Sequence, residues 1–171
     1  MIVSSERAKQ VGKRLKHKTQ MKRRTLMTMF LYPEQTICSN VIYGLLGTTV
    51  FANKKNLRDL SGHTVIIVTD ELVDDNLSRA AADMILRRGC KNIVFCGESS
   101  EEMQDIFDQE DREINGFNDI TGYEDFAVTR RFEDIEDLPE EISMCWGDVL
   151  VLCSNMSLLR ECRRVVNEER W

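Results

Sequence analysis

The feature that most constrains this chain is a set of short, unbroken apolar runs, each followed by a helical pattern. Val65-Ile66-Ile67-Val68, Ile93-Val94-Phe95-Cys96 and Val149-Leu150-Val151-Leu152 contain no charged or amide side chain. A strand with one wet face alternates apolar and polar residues, whereas a strand apolar throughout is covered on both faces. Parallel neighbours need a long crossover, usually a helix, and the stretches between these runs carry helical spacing. The alternation therefore predicts a three-layer α/β fold, Rossmann-like or flavodoxin-like, with a mostly parallel sheet and a basic N-terminal helical arm.

The elements follow from local signals. Leu26–Tyr32 reads as a first strand, and Glu34–Leu46 as a helix with Pro33 in its first turn and Gly47 at its end. Thr48–Ala52 reads as a short second strand and Asn53–Gly62 as a polar connection. His63–Thr69 is a buried strand. Asp74 or Asp75 then caps a helix whose Leu77, Ala81, Met84 and Ile85 share one face, with Gly89 ending it. Asn92–Cys96 is the next strand, followed by a capping box of Ser99 with Glu102 ahead of Met103, Ile106 and Phe107. Asp125–Arg131 forms another strand and Pro139–Cys145 a short acidic helix. Val149–Leu152 is the last strand, and the final helix aligns Leu158, Leu159, Cys162, Val165 and Val166.

At 171 residues the chain is long enough to bury one sizeable core, and no internal repeat points to a solenoid or propeller. The apolar runs are far too short to span a bilayer. Leu26–Tyr32, interrupted by Thr28 and stopped by Pro33-Glu34, reads as a strand rather than as the apolar core of a secretion signal. Of the six cysteines, Cys38, Cys145 and Cys162 fall in apolar helical patterns and Cys96 and Cys153 end apolar strands, with no C-x-x-C pair, so reduced thiols in a cytoplasmic protein are expected. With His17 and His63 as the two histidines, a zinc site is not expected. Asp111-x-Glu113-x-Asn115-Gly116 begins like a calcium loop but places Gly122 where a bidentate glutamate is required. No metal or cofactor is expected: the glycine-rich dinucleotide fingerprint and the P-loop are both absent.

Charge divides the chain. Residues 1–24 hold nine Lys or Arg and one acid, Glu6, giving +8, while residues 25–171 hold 14 basic and 28 acidic side chains, giving −14. The expected organisation is a basic arm, 1–24, joined to a single acidic domain, 25–171. In the arm Ala8, Val11 and Leu15 form a narrow apolar stripe. Lys13, Arg14, Lys16, Lys18, Lys22, Arg23 and Arg24 are the candidate contacts to phosphate or an acidic surface. No aromatic residue is interleaved among them for stacking on single-stranded bases.

In open α/β sheets ligands bind beyond the carboxyl ends of the strands, where the strand order reverses. Three loops are expected there, and they supply the candidate ligand-binding residues Asp70, Glu71, Cys96, Gly97, Ser99, Cys153, Ser154 and Asn155. Each loop leads into a helix whose N-terminal N–H groups attract an anion. Cys153 lacks the loop of a cysteine phosphatase: Arg160 stands one residue too far and no glycine intervenes. Catalysis is therefore not expected of Cys153, and the catalytic residues stay unassigned. The composite expectation is a non-catalytic interaction or sensor protein, in which the arm contacts nucleic acid or an acidic protein surface. Its partner is another protein or its own acidic surface, in a homo-oligomer or complex. The alternative is a small enzyme acting on a phosphorylated or nucleotide-like ligand, with Asp70 or Glu71 as general base.

Overall fold

The computed structural model describes residues 40–47, 57–116 and 125–168. The elements run β1 (Val41–Leu45), β2 (His63–Thr69), α1 (Asp75–Arg87), β3 (Asn92–Gly97), α2 (Ser100–Asn115), β4 (Val128–Phe132), a 3-10 turn (Ile135–Asp137), α3 (Leu138–Met144), β5 (Asp148–Cys153) and α4 (Met156–Glu168). They form one five-stranded sheet of order β1-β5-β2-β3-β4. Every pairing is parallel. Successive strands step outward from β2 to β3 to β4. The chain then returns to the opposite side of β2 to lay down β5, so the winding reverses between β2 and β5.

The unbroken apolar runs are buried on both faces. Val65 and Ile67 of β2, Ile93 and Phe95 of β3, and Leu150 and Leu152 of β5 point into one layer, with Ala81, Ala82 and Ile85 of α1 and Met103 and Phe107 of α2. The alternate residues Ile66, Val68, Val94, Cys96, Val149, Val151 and Cys153 point the other way, against α3 and α4. The Phe95 and Phe107 rings meet edge-to-face with centroids 5.1 Å apart, a geometry that adds to their burial.

The caps explain where the helices begin. Asp74 is the N-cap of α1, its Oδ1 accepting from the backbone N–H groups of Asn76 and Leu77. Gly89 follows α1 at φ +83. The five aligned residues of the last helix, Leu158, Leu159, Cys162, Val165 and Val166, are all buried.

Three expectations are corrected. The helix expected over Glu34–Leu46 is a strand over Val41–Leu45, hydrogen-bonded to β5 in the register Val41 with Val149 through Leu45 with Cys153. Val41-Ile42-Tyr43 is β-branched and aromatic, and the open edge of β5 outweighs the weak helical spacing there. The polar connection over Asn53–Gly62 contains Leu57 and Leu60, both fully buried in the α1–α2 layer. The Ser99–Glu102 capping box does not form: Ser99 is the N-cap of α2 but makes no side-chain cap bond. The strands expected over Leu26–Tyr32 and Thr48–Ala52, and the basic arm, lie outside the described residues.

Candidate functional site at the sheet's winding reversal

The loops after β2 and β5 meet where the winding reverses, and four candidate residues come together there. Asp70 Oδ1 accepts from the Ser154 hydroxyl at 3.1 Å and from the Asn155 side-chain amide at 2.7 Å. The same amide lies 3.4 Å from Glu71 Oε1. Asn155 works at both ends, because its Oδ1 also accepts from the Leu158 N–H at 2.9 Å and so caps α4. Its sequence position, two residues past an apolar strand and three before Leu158, is what places it as a cap. Asp70 and Glu71 are exposed, and Ser154 and Asn155 are half-buried.

Ser99 belongs to a neighbouring buried web. It is 1% exposed, its hydroxyl donates to the Glu71 carbonyl at 2.8 Å, and it accepts from the Val73 N–H. Its own N–H donates to the Thr69 hydroxyl. The Ser99 side chain is thereby engaged with the β2 loop, donating to the Glu71 carbonyl and accepting from the Val73 N–H, and is not turned to the free N–H groups of α2. Gly97 sits at φ +98, and a Cβ there would run into the Thr69 carbonyl oxygen. That oxygen also accepts from the Glu98 N–H. Gly97 is required by this close approach of two backbones, not as a cradle for phosphate.

The two candidate cysteines are buried. Cys96 is 2% exposed and Cys153 fully covered. Burial, reinforced by nearby negative groups, pushes the Cys96 thiol up to about 12. Cys153 is pushed far above the ordinary thiol range by the hydrogen bond it donates to Cys162 and by burial. A thiol held protonated is a poor nucleophile. Sequence reasoning missed Cys162, whose sulfur lies 3.6 Å from that of Cys153. The signal was present: Cys162 sits on the inward stripe of the helix that packs back on the end of β5.

Two of the helix N-termini at this edge, those of α1 and α2, already carry carboxylates, whereas the first turn of α4 has none. Asp74 and Asp75 occupy the start of α1, and Glu101 and Glu102 the first turn of α2. At α1 and α2 the dipole that would attract an anionic ligand acts instead on the chain's own acids. The calcium-like stretch Asp111 to Asn115 is the last turn of α2 rather than a loop. Asp111, 6% exposed, accepts from the Asn115 amide and the Ala127 N–H, each at 2.7 Å.

Among the described residues no helix is long and apolar enough to cross a membrane, and the five cysteines there are free thiols. Compared with protein-family models, curated proteins and solved structures, the chain shows no significant match to any of them.

Proposed function

We propose that the protein is a non-catalytic, intracellular interaction or sensor protein. The α/β domain is the scaffold, and the basic residues of 1–24 contact an acidic partner, nucleic acid or protein. The observation that carries this reading is the inward use of the groups at the winding reversal. A catalytic site keeps a base or nucleophile aimed at space where substrate sits. Here Ser154 and Asn155 donate to Asp70, Ser99 is bound to the loop backbone, and Cys153 is sealed beneath.

Two further observations support it. Leu72, in the loop after β2, and Met156, the first residue of α4, are 75% and 49% exposed, apolar surface of the kind a partner covers. The charge split, +8 in residues 1–24 against −14 in the remainder, gives the basic segment a long-range attraction to acidic surfaces. The reversal between β2 and β5 is also the ligand position of Rossmann-like sheets, which suits a sensor. The enzyme alternative asks this edge to hold a phosphorylated ligand. It is disfavoured by the acids already seated at the α1 and α2 termini.

The test is fluorescence anisotropy with labelled duplex DNA and labelled poly-glutamate over a salt series. The full chain is compared with a full-length variant in which Lys13, Arg14, Lys16, Lys18, Lys22, Arg23 and Arg24 are replaced by Gln. The wild type binds one or both probes with affinity falling steeply as salt rises, and the variant loses roughly tenfold or more at about 50 mM salt. Equal binding by the two chains at low salt would overturn the proposal.

A further inference from the structure

We propose that Cys153 and Cys162 are a redox pair that a hydroperoxide closes to a disulfide, drawing α4 onto the end of β5 and reshaping the Asp70–Asn155 contact. The pair stands out among the described thiols. Cys90, Cys96 and Cys145 each donate to a backbone carbonyl, of Asn92, Glu133 and Glu141 respectively. Cys153 donates to another sulfur, 3.6 Å away. Both residues are fully buried in the layer between the sheet and α4, with no exposed surface. They are nine positions apart, one ending β5 and the other on the second turn of α4.

The two thiols are not equivalent. The S–H of Cys153 points at Cys162, which lowers the Cys162 thiol from its ordinary value and raises Cys153. Cys162 is therefore the sulfur that ionises first. Its thiolate attacks an oxygen of the hydroperoxide, the O–O bond breaks, and the departing hydroxide (from hydrogen peroxide) or alkoxide (from an organic hydroperoxide) takes the proton Cys162 released, leaving as water or alcohol. Cys162 is then a sulfenic acid. Cys153 gives up its proton and its sulfur attacks the Cys162 sulfur, displacing hydroxide, which takes that proton and leaves as water. In sum two S–H bonds are lost, one S–S bond forms, and two electrons pass to the peroxide.

The consequence is mechanical. An S–S bond is about 2.05 Å long, so the sulfurs approach by roughly 1.5 Å. Cys153 is covalently next to Ser154, and α4 begins at the Asn155 cap. Any shift of α4 against β5 therefore acts on both donors to Asp70. Because the thiols are buried, oxidation proceeds through a local opening of α4 that leaves the sheet intact. This proposal does not depend on what the basic segment binds.

The test treats the full chain with hydrogen peroxide under native conditions, followed by alkylation, digestion and mass spectrometry. The expected product is a peptide pair linked through Cys153 and Cys162, reversed by dithiothreitol and absent from Cys162→Ser. Cys90, buried in the opposite layer, must stay unalkylated until denaturant is added, which separates local opening from unfolding. Cys153→Ala serves as a second variant should Cys162→Ser fold poorly. In the oxidised chain the amides of Ser154 to Leu158 exchange with solvent roughly tenfold faster, reporting a weakened α4 start. No linked peptide, or one formed only as Cys90 becomes reactive, would overturn the pair. Unchanged exchange would overturn its coupling to the Asp70–Asn155 contact.

Discussion

Asn155 shows how much one side chain decides at this edge. Its oxygen caps α4 and its amide holds Asp70, so Asn155→Ala removes both bonds at once. Loss of such a cap costs about 1 kcal/mol, and urea denaturation should show a drop of at least that size. Gly97→Ala is a harsher change, since the new Cβ meets the Thr69 carbonyl oxygen at a residue held at φ +98. The cost is about 3 kcal/mol or more, read in the same measurement. The buried thiols set a pH dependence. Cys90 is pushed up by burial to about 11 and Cys96 to about 12. Both stay protonated in the folded chain where the unfolded chain, titrating near the ordinary 9.0, has begun to lose protons. The folded state then binds more protons, so stability falls as pH rises from about 9 toward 12 and is unaffected by these groups below that window. Denaturation midpoints at pH 8 and pH 10 check the sign, with Cys90→Ala and Cys96→Ala flattening the difference.

At the scale of elements, the legible part of the fold was the part with two-sided burial. β2, β3 and β5 are unbroken apolar runs because helices cover both faces, and sequence alone located them to within a residue or two. Asp74 and Gly89 marked the ends of α1 through chemistry that acts within a few residues. β1 was not legible: Val41–Leu45 is a strand because β5 offers it a partner more than a hundred residues away, a contact no local pattern encodes. The Ser99 hydroxyl, drawn to the Glu71 carbonyl, was misread for the same reason. The candidate site was half legible. Asp70, Glu71, Ser154 and Asn155 converge as strand-end loops should, but their mutual satisfaction depends on side-chain directions that spacing does not reveal. Asp111 makes the same point for α2, where its carboxylate accepts from the Ala127 N–H ahead of β4. Asp111→Ala orphans that N–H in a half-buried setting and should cost about 1–3 kcal/mol. Faster hydrogen exchange at Ala127 would localise the loss.

For the whole molecule the central claim is a division of labour. In the proposed reading, the α/β domain holds Ser154 and Asn155 on Asp70, and the basic residues of 1–24 carry the binding. The most direct measurement is salt-dependent binding of the acidic probe that the wild type prefers, using three full-length chains in parallel. These are the wild type, the arm-neutralised chain, and Asp70→Ala with Ser154→Ala, which opens the strand-end contact and leaves every arm charge in place. The division predicts that the double variant binds like the wild type with the same salt slope, while the arm-neutralised chain does not bind. A double variant that loses the probe as completely as the arm-neutralised chain would contradict it, placing the binding surface at the end of the sheet.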